Sequence, residues 1–214
     1  NWFAQDVETM SEIVTRVDAA ASHLSLLGAR IEEVELPGAK LFEACGGVIV
    51  HAESFAWHRA QLGAKGDLYS DKTFPYFMAG IALDENDLAL AQRAARALGA
   101  ELDAAMARFD ALLTVTTCTT ALPLGDFQGA AARWTPMRTM AFNVTGHPAL
   151  SVPCGFVDSL PVGMQIVGRR NDEATVCQIG HGYEQATDFG AVRPAWDARA
   201  VGASISAPKG REQR

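Results

Sequence analysis

Three short apolar runs restrict this chain more than any other feature. Ala111-Leu112-Leu113-Thr114-Val115-Thr116 is apolar and β-prone, with the length and character of a buried strand. Ala149-Leu150-Ser151-Val152 is a second such run, which Pro153-Cys154-Gly155 is expected to stop. Val162 to Val167 is the third, with Asp158-Ser159-Leu160-Pro161 reading as the turn before it. A chain with strands of this kind must cover them with helices, which makes it an α/β piece.

The helices are legible from periodicity. Val7, Met10, Val14, Val17, Ala21, Leu24 and Leu27 recur at spacings of three and four, and Gly28 stands where a helix C-cap glycine belongs. Ile31, Val34 and Leu36 then read as a short strand that Pro37 and Gly38 end. Lys40 to Leu62 reads as a helix weakened by Gly46-Gly47, and Gly63 to Pro75 as loop or short turns. Asp84 with Asp87 resembles an N-cap and its first-turn acid, opening a helix along Leu88, Ala91, Ala95, Leu98 and Leu102 to about Arg108. Thr117 to Ala132 is a Gly/Ala/Thr-rich loop, long enough to suggest binding. Asn171, followed by Asp172 and Glu173, is expected to cap a last helix with Val176, Ile179, Tyr183 and Ala186 inward. Residues 1–197 form one domain portion on this reading, and 198–214 a surface tail.

Composition excludes several classes. Eighteen Lys and Arg against 25 Asp and Glu give a net charge of −7, which argues against a general nucleic-acid binder. No apolar run approaches the roughly 18 residues of a membrane span, and the partner expectations accordingly omit both nucleic acid and membrane. Cys45, Cys118, Cys154 and Cys177 lie far apart without a CxxC pair, as in a reduced, cytoplasmic protein. The chain starts at Asn1 with no leader-like segment, and the expectation is that polypeptide has been removed upstream.

The spacing rules find no complete catalytic set. The GxSxG elbow, P-loop, GxGxxG and HExxH motifs are absent, and Ser206-Ala207-Pro208-Lys209 spells SxxK only in the presumed tail. His51 and His58 share a helix face, but at i, i+7 their rings stand about 10 Å apart and cannot chelate one ion. No metal or cofactor is expected. His147, before Pro148 in a glycine-containing loop, is either an active-site edge or a turn residue.

The run Asn143-Val144-Thr145-Gly146-His147-Pro148-Ala149-Leu150-Ser151-Val152-Pro153-Cys154-Gly155-Phe156 closely resembles the C-terminal half of the amidase signature family. Leu160 to Arg169, Asp172-Glu173, Tyr183 to Thr187 and Arg193-Pro194 follow in family order and at family spacing. The resemblance covers roughly Val7 to Trp196. It implies an α/β fold whose mixed β-sheet is flanked by helices, here the C-terminal portion of an amidase-signature fold. It also implies hydrolysis of a carboxamide C–N bond by a Ser nucleophile, a second Ser and a Lys base, a variant of the triad principle.

None of that Ser-Ser-Lys set is found here. There is no Gly-Gly-Ser-Ser-Gly stretch, and Lys40, Lys65, Lys72 and Lys209 are the only lysines. The chain therefore resembles the portion after the triad, with no catalytic residue of its own and the N-terminal catalytic half as its implied partner. Apolar sheet or helix surface should then be exposed. Trp134, Arg138, Asn143, Gly146 and His147 are the substrate-cleft candidates, next to a small-molecule amide. Arg138 would pair an anionic substrate group, or else be a surface arginine. A homo-oligomer is left open, and a non-catalytic scaffold or binding fragment is the alternative function.

Overall fold

The computed structural model describes residues 8–36, 38–127 and 135–194. Within them lie helices α1 (Ser11–Leu26), α2 (Ala39–Lys65), α3 (Thr73–Met78), α4 (Glu85–Met106), α5 (Met140–Thr145) and α6 (Glu173–Gln185). Strands β1 (Ala111–Val115), β2 (Ala149–Val157) and β3 (Leu160–Gly168) form one sheet in the order β1-β3-β2. All pairing among the described strands is antiparallel. Trp134, part of the 117–132 loop and the expected tail lie outside the described residues.

Period-two alternation sorts the sheet into two unlike faces. On one face Val115, Val152, Cys154, Val162, Met164 and Ile166 form a core with Ile13, Val17, Ala20 and Leu24 of α1 and Val176 and Tyr183 of α6. On the other, Leu112 and Val167 join Phe42 of α2, Leu98 and Leu102 of α4, and Phe142 of α5. A fully buried side chain of this size contributes about 1.5–3 kcal/mol, so both faces are needed to hold the three strands.

Local chemistry explains the element ends. Asp84 accepts from the Asn86 and Asp87 amides at 2.8 and 2.9 Å, while Asp87 accepts from the Asp84 amide at 3.0 Å. This reciprocal box starts α4. Gly28 closes the end of α1 at φ +100°, a conformation costly for any other residue. Asp158 and Ser159, both at positive φ, make the two-residue turn between β2 and β3.

Several expectations need correction. The buried stripe of α1 is Ile13, Val17, Ala20 and Leu24; Val14 and Ala21 are only half-buried. Pro153 does not stop β2, which continues to Val157 through an irregular register at Pro153/Gly155. A bulge accommodates the proline because its nitrogen faces the outer edge of the sheet. Asp172, not Asn171, caps α6, its side chain accepting from the Thr175 amide, while Asn171 adopts φ +61° before it. Ala186 is exposed rather than inward. Gly63 to Lys65 continue α2, and Thr73 to Met78 are helical. Ile31 to Leu36 joins no sheet among the described residues; it is an irregular segment whose Val34 and Leu36 pack on the α2–α4 core.

The capping box gives a direct test. Asp84→Ala should lower stability by about 0.5–2 kcal/mol, read as a lower urea midpoint with an unchanged transition slope.

Candidate functional site

The end of β1 and the segment entering α5 build one wall. Arg138 N donates to Thr116 O at 3.0 Å and Cys118 N to Pro136 O at 2.8 Å, and Thr117 bridges Met137. Gln165, buried on β3, donates its side-chain amide to Val115 O at 3.4 Å and Arg138 O at 3.3 Å. That amide fixes the backbone at Arg138 over the sheet. Beside it, Thr116 Oγ1 and Ser151 Oγ lie 2.8 Å apart, with Ser151 exposed. A Cβ at Gly163 would come within 2.8 Å of Ser151 Oγ and 3.3 Å of Thr116 Oγ1. Glycine there keeps this hydroxyl-lined patch flat.

Arg138 is buried, not a surface arginine. Its guanidinium donates to Glu8 Oε2 and Glu43 Oε1, each at 2.9 Å, and to Met137 O at 3.2 Å. It therefore holds the start of α1, the first turns of α2 and the entry to α5 together through charge-assisted bonds. A substrate anion reaching this group has to join or displace two carboxylates.

His147 is held differently. Its ring is fully buried, with Nδ1 2.9 Å from Thr145 Oγ1 and Nε2 3.1 Å from Asp103 Oδ1. Asp103 also accepts from Arg170 Nε at 3.1 Å to each oxygen. Thr145 Oγ1 donates to Ala141 O at 2.9 Å, so both ring nitrogens face acceptors, an arrangement suited to imidazolium. Burial, first, and the Arg170 charge push the imidazole pKa below its ordinary value; Asp103 opposes them. The lowered pKa favours the neutral ring, whose Nε2–H donates to Asp103 Oδ1.

The cleft candidates thus divide. Asn143 and Gly146 are exposed on α5 and at its left-handed C-cap, where Gly146 has φ +72°. Arg138 stands before the helix and His147 after it, each tied to separate partners. Thr116, Ser151 and Gln165 were missed by the sequence reading. Strand alternation places Ser151 and Gln165 on one face, which could have found them; Asp103, Glu8 and Glu43 carry no local signal.

Nucleophile activation is not built from the described residues. Ser151 touches Thr116 rather than a base. Burial pushes the Cys154 thiol up to about 11 and raises Cys45 as well, so neither is a ready thiolate. His51 and His58 bond Tyr76 O and Tyr69 Oη, and no His, Cys, Asp and Glu group among the described residues could hold a metal. No described helix is long and apolar enough to cross a membrane.

Residues 2–177 match the Amidase family. The chain belongs to the amidase signature family. It is 31% identical over 209 residues to a glutamyl-tRNA(Gln) amidotransferase subunit from Symbiobacterium thermophilum, covering 86% of this chain and 43% of that protein. The corresponding protein from Geobacillus kaustophilus is 43% identical over 89 residues, 41% of this chain and 18% of that protein. A crystal structure of an amidase superposes with a TM-score of 0.74 at 27% identity, over 84% of this chain and 42% of that one. The chain spans less than half the length of these relatives.

Two outcomes follow from this geometry. Arg138→Ala should destabilise the chain by about 1.5–3 kcal/mol, the scale of hydrogen bonds to charged groups, in urea unfolding; an effect under about 0.5 kcal/mol would show the two ion pairs to be idle. His147 has a folded pKa below its unfolded value near 6.5. Its stabilising contribution is complete above about pH 6.5 and is lost as pH falls through the folded value, because the unfolded chain binds the proton more readily. His147→Gln, which keeps a donor toward Asp103 but cannot titrate, should flatten the fall in urea midpoint between pH 7 and pH 5.

Proposed function

We propose that this chain is the C-terminal half of an amidase that cleaves a carboxamide C–N bond through an acyl-enzyme. In this reading the Ser nucleophile, its partner Ser and the Lys base lie in polypeptide outside these 214 residues. The sheet and α5 form one wall of the substrate cleft. What carries the reading is a single combination: family membership over residues 2–177, in a chain that holds no adjacent Ser pair, no Gly-Gly-Ser-Ser-Gly stretch and no lysine in the family's sequence setting.

The mechanism assigns this chain positioning rather than chemistry. Gln165 and Arg138 fix the end of β1 and the start of α5, which sets where Asn143 and Gly146 stand. The flat Thr116–Ser151–Gly163 patch leaves room for another chain segment or the substrate to lie close to the sheet. Trp134 and Arg138 are assigned to the substrate side, with Asn143, Gly146 and His147 beyond them. The N-terminal catalytic half is the partner, the substrate is a small-molecule amide, and the site is cytoplasmic.

The pure chain should not turn over a simple aryl amide, because removing a catalytic set leaves only the weak residual rate of binding contacts. Hydrolysis above background by a sample that intact-mass analysis shows to hold no longer species would refute the proposal.

A further inference from the structure

One carboxylate serves two groups at the C-terminal end of α5. Asp103 Oδ1 stands 3.1 Å from His147 Nε2 and 3.1 Å from Arg170 Nε, and Oδ2 takes a second contact from the same Arg170 Nε at 3.1 Å. The guanidinium lies in a seat made by two glycines. A Cβ at Gly99 would collide with Arg170 Nη2, and a Cβ at Gly146 would stand 3.5 Å from Nη1. Arg170 thus covers the left-handed cap that ends α5, and among the described residues its only bonds are the two from Nε.

The two groups differ in what a second positive charge costs them. The His147 side chain is wholly buried, and its loop is fixed by the Gly168 amide donating to Pro148 O at 2.9 Å. The Arg170 side chain is 40% exposed and precedes Asn171, which turns the chain at φ +61°. Facing the imidazole are Asp103 from α4, Arg170 from the loop after β3, and from α5 the uncharged Thr145 hydroxyl. Arg169, the other cation of that loop, is directed at Asp110, 3.7 Å away. With the ring neutral, one guanidinium balances one carboxylate. A proton on the ring sets two cations against that carboxylate, one of them without access to water.

The surroundings of the ring are nevertheless ready for that proton. Thr145 Oγ1 donates to Ala141 O at 2.9 Å and so turns lone pairs toward Nδ1, 2.9 Å away. A second ring N–H finds an acceptor there while Nε2–H keeps Asp103. Repulsion is then relieved by the group that is able to leave: an arginine with a partly exposed stem carries its charge into water without disturbing the core. Arg170 also helps to lower the imidazole pKa, after burial, whereas Asp103 opposes both. Coupling of this kind is reciprocal, so a protonated ring weakens the hold on Arg170.

We propose that Arg170 is a proton-gated plug: when His147 takes up a proton, the guanidinium leaves Asp103 and the Gly99–Gly146 seat, while His147 keeps α5 tied to α4. The parts required are a buried imidazole, a carboxylate shared by two donors, and two glycines that make the seat. Opening bares the seat beside Gly146 and frees the loop that leads from β3 into α6. The gate itself requires no particular reaction. Its bearing on substrate rests on the amidase reading, in which Gly146 belongs to the cleft wall, and there it is a regulation of that wall by acid.

NMR on the full 214-residue chain tests the gate. The His147 ring is titrated from pH 8 to pH 5, and exchange of the Arg170 Nε–H is compared with that of exposed Arg59 at each pH. The comparison cancels the intrinsic pH dependence of exchange. Above the His147 midpoint Arg170 should exchange at least tenfold more slowly than Arg59; below it the two rates should converge, with the same midpoint as the ring. His147→Gln should keep Arg170 protected at both ends of the range. Arg170→Gln, at a partly exposed position, should raise the ring's midpoint, and it supplies the reciprocal reading should His147→Gln fail to fold. Arg170 protection that persists on a protonated ring would overturn the proposal. So would loss of protection at a midpoint unrelated to the ring, a ring midpoint unmoved in Arg170→Gln, or unfolding of the chain before the ring titrates. None of these readouts involves turnover, so the gate can fail while the amidase reading stands, and the converse.

Discussion

The buried centre of this molecule is β3. Both other strands bond to it, and from Met164 to Gly168 it is buried throughout. Met164 and Ile166 sit under α1 and α6, while Val167 sits against the cores of α2, α4 and α5. Gln165 is the polar exception on this strand. An unsatisfied buried amide costs roughly 1–3 kcal/mol, and here the carbonyls of Val115 and Arg138 receive its donors. The same bonds that remove this penalty clamp the cleft wall onto the sheet. Core stability and site geometry are therefore one constraint.

Charge plays the corresponding role around Arg138. A guanidinium this buried needs compensation, and it draws carboxylates from Glu8 and Glu43, residues far from it and from each other in sequence. Removing one partner of such a group leaves charge without balance, which is more destabilising than an exposed pair would suggest. Glu8 and Glu43 stay half-exposed, so the arrangement is less demanding than a wholly dry ion pair. Asp103 serves His147 and Arg170 in the same way at the other end of α5. The short helix that carries Asn143 is thus pinned at both ends by carboxylates from other elements.

Much of this was legible in the residues. The α4 capping box, the Gly28 cap, the three strands and the turn at Asp158-Ser159 all follow from local chemistry, and the family follows from the run Asn143 to Phe156. The partners of Arg138 and His147 were not legible, since Glu8, Glu43 and Asp103 are brought in by tertiary packing alone. The buried stripe of α1 was misplaced because Val14 and Ile13 fit helical spacing equally well, and only the position of the sheet chooses between them. Pro153 was read as a stop because sequence does not show which edge of the strand its nitrogen faces.

Ile31–Leu36 and α1 follow one another in the chain, yet one lacks its regular form and the other keeps it. A helix satisfies its backbone internally and needs only an apolar stripe to dock. Ile13, Val17, Ala20 and Leu24 find that docking surface on β1, β2 and β3, so α1 forms. A strand has no internal bonds; its N–H and C=O groups are satisfied by a neighbour or by water. Val34 and Leu36 bury their side chains against the second core, but no described strand offers them a ladder. The side chains are placed on the core without a described strand ladder beside them. Helices in an α/β fold therefore report their own sequence faithfully, while strands report the company they keep.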